Sequence, residues 1–194
     1  YSKNKIEEMM NLVLYSSKAI FYFLIIIIYP LFDHIDFFLE LWIGQNEPLL
    51  ILFCKLALIF CLILSIHNPI TAVIHATEKI LKFSLVTEGI IMLAFPLTLL
   101  FFYLGFDPLY TFYISIVVTL FAQIARIIIC RELINVSFKP YLKFFVKKSV
   151  LVLFCLLLFD FISNKVFNIY QLNIFLTILI KFFMCTFIVL LIGI

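Results

Sequence analysis

Four glycines and six prolines among 194 residues rule out a glycine-rich phosphate loop. Only 13% of the residues are charged. A water-soluble domain ordinarily needs about a quarter of its residues charged to keep its surface solvated, so a soluble fold is excluded. No HExxH or GxSxG arrangement occurs, and His34, His67 and His75 lack the spacing of metal ligands. His67, beside Asn68-Pro69, reads as the neighbour of a kink, and His34-Ile35-Asp36 as a solvated turn. The five cysteines, Cys54, Cys61, Cys130, Cys155 and Cys185, lie in or beside apolar runs with no CxxC pair. They read as small, buried, reduced hydrophobes. No cofactor, metal or nucleic-acid partner is implied, and nothing in the sequence marks an enzyme.

Apolar residues make up 66% of the chain, and its mean hydropathy is +1.25. They fall mostly in runs long enough to cross a hydrocarbon core of about 30 Å. Six spans are expected, near Leu12–Phe32, Leu49–Ala76, Phe83–Leu104, Leu109–Cys130, Ser149–Ser163 and Leu172–Ile194. The fold class is therefore an all-α integral membrane protein, with residues 1–194 as one helical bundle. The second span is too long for a straight crossing, and Pro69 kinks it or marks its exit. Gly105-Phe106-Asp107-Pro108 reads as a tight turn, and Asn164, Asn168, Gln171 and Asn173 as the last loop. The chain starts at Tyr1 and ends within an apolar run, so it reads as a fragment truncated at both ends.

Charge orients these spans. Lys3 and Lys5, then Lys79 and Lys82, then Arg126, Arg131, Lys139, Lys143, Lys147 and Lys148 mark alternate ends. Asp33, Asp36, Glu40, Glu47 and Asp107 mark the others, with Lys165 their only base. The positive-inside rule then makes the N-terminus of this segment cytoplasmic. Within Phe138–Lys148, Lys139, Lys143 and Lys147 recur at helical spacing opposite Phe138, Tyr141, Leu142 and Phe145. That pattern predicts an amphipathic helix lying on an anionic leaflet.

Polar residues inside the spans form stripes at the 100° helical step. Asn11, Tyr15, Lys18, Tyr22 and Tyr29 share one side of the first span. Ser84, Thr87, Glu88 and Thr98 share a side of the third, and Ser115, Thr119, Gln123 and Arg126 a side of the fourth. Asn173, Thr177 and Lys181 make an i, i+4, i+8 ladder in the last. Any one stripe could be interhelical glue. Four stripes, three of them charged, point instead to a hydrated path. The candidate cavity residues are Lys18, Tyr22, Lys55, Glu88, Gln123, Arg126 and Lys181. Four cations against one clear intramembrane acid, Glu88, suit an anionic substrate. Lys181 lies deepest, and either an anionic headgroup or Glu88 would offset its charge.

Phe38-Leu39-Glu40-Leu41-Trp42-Ile43-Gly44 resembles a segment of the bacterial polysaccharide flippases, the O-antigen and capsule exporters of the multidrug/oligosaccharidyl-lipid/polysaccharide superfamily. Ala76-Thr77-Glu78-Lys79-Ile80-Leu81-Lys82-Phe83 resembles a second, with Glu78 where that family has glycine. Pro96, then Leu104–Pro108, Arg126 and the Ser137–Tyr141 stretch continue in the family's order. The resemblance runs from about Ser16 to Lys148. It implies one lobe, the C-terminal half, of a two-lobed transporter whose N-terminal half would be its partner. It further implies translocation of undecaprenyl-pyrophosphate-linked oligosaccharide units across the bacterial cytoplasmic membrane by alternating access, and no catalytic residue. A related multidrug or peptidoglycan-precursor exporter is the alternative within the superfamily, and a polytopic enzyme of glycan assembly the alternative outside it. The longest outer loop, about Asp33–Pro48, is small for such an enzyme.

Overall fold

A computed structural model of the chain describes residues 3–44, 47–66, 68–75, 80–134, 142–170 and 173–193. Every element among them is helical: α1 (Lys3–Asp33), α2 (Ile35–Ile43), α3 (Pro48–Ser65), α4 (Asn68–His75), α5 (Ile80–Met92), α6 (Ala94–Tyr103), α7 (Tyr110–Ile134), a π-helical turn (Leu142–Val146), α8 (Lys147–Tyr170) and α9 (Ile174–Gly193). Among the described residues, five stretches are long and apolar enough to cross a membrane: Asn11–Asp33, Pro48–Ala72, Ile80–Tyr103, Tyr110–Glu132 and Ile174–Gly193. Between 6% and 33% of each is buried within the protein. Such open apolar faces find a favourable solvent only in lipid, and the chain is an all-α membrane protein. The expected fifth span, Ser149–Ser163, is helical within α8 but is not one of these five.

The breaks between helices follow from local chemistry. The second expected span divides into α3 and α4 just before Asn68-Pro69, because Pro69 has no N–H to give the Ser65 carbonyl that ends α3. The third divides at Leu93. Pro96 has no N–H to give the Met92 carbonyl, and the Leu93 N–H bonds the Ile90 carbonyl instead at 3.1 Å. After α6, Gly105 takes a left-handed φ of 84°. The Phe106 N–H then reaches the Phe101 carbonyl and the Gly105 N–H the Phe102 carbonyl, each at 3.0 Å. This closes a Schellman turn, and the Phe101 and Phe106 rings, 5.0 Å apart, seal it. The Asp107 carboxylate accepts the Leu109 N–H at 2.9 Å and starts α7.

Three expectations change. Residues Ile35–Ile43 of the outer loop are helix α2, closed by Gly44 at φ 70°. Its apolar spacing buries Ile35 and Leu39, so His34-Ile35-Asp36 is not a solvated turn. Helix α8 continues to Tyr170 through the asparagines taken as loop, since neither glycine nor proline interrupts it. The interfacial segment lies partly outside the described residues, as do His67 and Ala76–Lys79. What is described of that segment is a π-helical turn running into α8, with Lys143 and Lys147 exposed and Phe145 buried.

Backbone proximity separates two compact units, residues 1–17 with 52–138 and residues 18–51 with 139–194. In the first, α7 packs against α4, α5 and α6. In the second, α9 packs on α8. The α9 stripe Thr177, Lys181, Cys185, Val189 and Gly193 is buried at every fourth position, as a helix packed on one face requires.

Candidate functional site

Each unit carries its own buried charge. In the first unit, the stripe expected on the fourth span turns inward, with Thr119 3%, Gln123 9% and Arg126 1% exposed. Helix α7 also buries Ala122 and Cys130, so small or polar residues on this side let neighbouring backbone approach. Gln123 Nε2 donates to the Ile63 carbonyl at 3.3 Å. That carbonyl lies in the last turn of α3, where the break before Pro69 frees backbone acceptors. Ser65 Oγ donates to the next of them back, Leu62, at 2.7 Å. Within a membrane such groups must be satisfied by the protein.

Arg126 Nη2 meets Glu88 Oε1 at 3.3 Å. The pair is lopsided, since the arginine side chain is 1% exposed and the Glu88 side chain 61%. Arg126 Nε and Nη1 are buried without a hydrogen-bond partner among the described residues, and so is Gln123 Oε1. Two nitrogens of a charged guanidinium are thus left over as donors. Charged N–H donors of this kind suit the oxygens of a carboxylate or phosphate. Thr87 beside it is fully buried but satisfied by the Phe83 carbonyl at 2.9 Å. Glu88 also borders an open groove of about 710 Å³ along α5, with Ser84, Leu85, Gly89 and Met92.

In the second unit, Lys181 is 1% exposed and its Nζ donates to two carboxylates, Asp33 at the end of α1 and Asp160 on α8, the latter at 2.7 Å. Tyr29 Oη donates to Asp160 Oδ1 and to the Leu156 carbonyl, each at 3.4 Å. The cluster therefore ties α1, α8 and α9 together. With one ammonium between two carboxyls, it carries one excess negative charge when both are ionised and none when they share a proton. His34, just beyond α1, is held below the usual imidazole range by its partial burial and then by the Lys181 ammonium.

The expected cavity residues thus fall into separate groups. Glu88, Gln123 and Arg126 come together. Glu88 serves Arg126, and Lys181 is offset by Asp33 and Asp160, which sequence reasoning missed. Glu88 is accordingly not the one intramembrane acid. Lys18 is half-buried and Tyr22 is 6% exposed, both on α1. Lys55 is half-buried on α3. The first-span stripe does not face protein along its whole length, because Asn11 and Tyr15 are exposed while Val13, Ser17 and Phe21 are buried. All five cysteines are free, and Cys61 is exposed rather than buried.

Comparison of the chain with protein-family models, with curated proteins and with solved structures returned no match.

Proposed function

We propose that this chain is one lobe of a transporter that carries an anionic lipid-linked oligosaccharide across the bacterial cytoplasmic membrane. The substrate is an undecaprenyl-pyrophosphate-linked repeat unit of O-antigen or capsule type. The other lobe is the N-terminal half of the same protein, movement is by alternating access, and six crossings place the N-terminus of this segment in the cytoplasm. The observation that carries the proposal is Arg126, a guanidinium buried in a membrane-spanning helix with two donors unmatched by any described residue. An arginine at the centre of a span costs about 2.5–3.5 kcal/mol on insertion scales and one nearer the end less, and Arg126, fully buried with spare donors, suits an anion that comes and goes. The order of short motifs shared with the polysaccharide flippases supports the same substrate class. Glu88, paired to the remaining guanidinium nitrogen, holds the arginine when no anion is bound.

The test is complementation of a strain lacking its own repeat-unit flippase with the complete transporter. Arg126→Ala should abolish surface glycan at unchanged protein abundance, and Arg126→Lys should retain a fraction of it. Full export by Arg126→Ala removes the proposal's foundation. Export of cationic drugs but not glycan would favour the multidrug alternative.

A further inference from the structure

The middle of α1, at Lys18 and Tyr22, and the start of α8 hold a second set of polar groups, separate from the Lys181 cluster. Lys18 and Lys148 stand close enough to repel each other electrostatically. Lys18 makes no ion pair among the described residues. Beside them the Tyr22 and Ser149 hydroxyls face each other, each residue 6% exposed. They approach each other without reaching hydrogen-bond geometry, and neither makes a hydrogen bond with another described residue. Two buried hydroxyls that make no hydrogen bond, next to a half-buried lysine without an ion pair among the described residues, are an unfavourable arrangement in the absence of a ligand. An oxyanion reverses both defects at once, accepting from the hydroxyls and pairing with Lys18.

The surroundings hold these groups in place. The Phe21 and Phe145 rings meet edge to face at 5.6 Å and fasten the π-helical turn to α1. Gly193 lies so close to the Tyr22 ring that a Cβ there would come within 2.7 Å of it, so the ring cannot swing toward α9. Lys147 and Lys148 open α8 where the basic interfacial segment meets the apolar run, the level at which lipid headgroups sit. Beyond them Phe154 and Leu157 are 56% and 69% exposed, an apolar track for acyl chains.

We infer that Lys18, Tyr22, Lys148 and Ser149 form a binding site for the phosphate of an anionic phospholipid headgroup. The site does not depend on the transport proposal, and its test measures no transport. The chain is purified in a neutral detergent and titrated with phosphatidylglycerol, phosphatidylcholine or inorganic phosphate, with lipid occupancy read by native mass spectrometry and melting followed by circular dichroism. Phosphatidylglycerol should remain bound and raise the melting temperature, and phosphatidylcholine should do so far less. The double variant Lys18→Gln, Lys148→Gln should bind phosphatidylglycerol about thirtyfold more weakly, the attraction of two lysines at an anionic surface. Lys143→Gln, a change at an exposed lysine of the same segment, should bind as the unaltered chain does. Tyr22→Phe and Ser149→Ala keep both charges and should each weaken binding severalfold, so they decide the matter if the lysine variants do not fold. Unchanged phosphatidylglycerol binding in the folded variants overturns the site. Equal stabilisation by inorganic phosphate overturns the lipid as its ligand.

Discussion

Replacing Lys181 with methionine keeps the length of the side chain and removes only the charge. The ammonium is 1% exposed, and its two carboxylate partners are each about a quarter exposed, at 24% and 23%. Removing one member of a buried ion pair costs about 3–5 kcal/mol, because the partners are left unmatched. The partial exposure of both aspartates points to the lower end, about 3 kcal/mol. For a chain of this length that loss corresponds to a fall in melting temperature of about 6–12 °C. The assay is thermal unfolding of the purified chain in detergent, followed by circular dichroism. Changing both acids as well, Asp33→Asn and Asp160→Asn with Lys181→Met, should recover more than half of the loss, since no uncompensated charge then remains. Adding Glu88→Ala to Lys181→Met should recover nothing, because Glu88 belongs to Arg126. A Lys181→Met variant melting within about 2 °C of the unaltered chain would refute this reasoning, as would rescue by Glu88→Ala.

Other consequences follow from single sites. The imidazolium of His34 is disfavoured in the folded chain, so below its ordinary pKa of about 6.5 the unfolded state takes up the proton first. Stability should fall as pH drops through that value, and His34→Gln should flatten the fall in melts taken between pH 7.5 and 5.5. Gly193→Ala sets a methyl against the buried Tyr22 ring and should cost about 1–3 kcal/mol, measured by the same melts. At Gly105 a φ of 84° makes Gly105→Ala unfavourable by about 1–2 kcal/mol, with open space around it to show that backbone rather than packing is responsible. On a cysteine-free background, Glu47→Cys should react with an impermeant thiol reagent from outside intact cells and Lys143→Cys only after the inner face is opened. The reverse pattern overturns the assigned orientation.

The helices were legible because a hydrocarbon core selects long apolar runs, and the breaks were legible where proline or glycine leaves no choice. Pro69 and Gly105 are of that kind. Helix α2 was not, because nine residues are too few to span a membrane and, with Asp36 and Glu40 among them, resemble loop until the burial of Ile35 and Leu39 is known. The Lys181 ladder could be read from its spacing of four, but its partners could not. Asp33 stands at the end of an apolar run, where it reads as a solvated loop acid. Asp160 sits alone among leucines and phenylalanines on α8. Only tertiary packing brings Asp33 to a lysine 148 positions away. The unmatched donors of Arg126 are equally invisible in sequence, since a spacing pattern can put a cation on a buried face but cannot count its hydrogen bonds.

The most direct measurement is translocation itself, with the complete transporter reconstituted in proteoliposomes and a labelled undecaprenyl-pyrophosphate-linked oligosaccharide supplied in one leaflet. The labelled glycan should become accessible in the opposite leaflet with the unaltered protein and remain where it was placed with Arg126→Ala at equal reconstitution. No movement with the unaltered protein, or equal movement with both, would contradict the assignment of Arg126 to an anionic lipid-linked substrate.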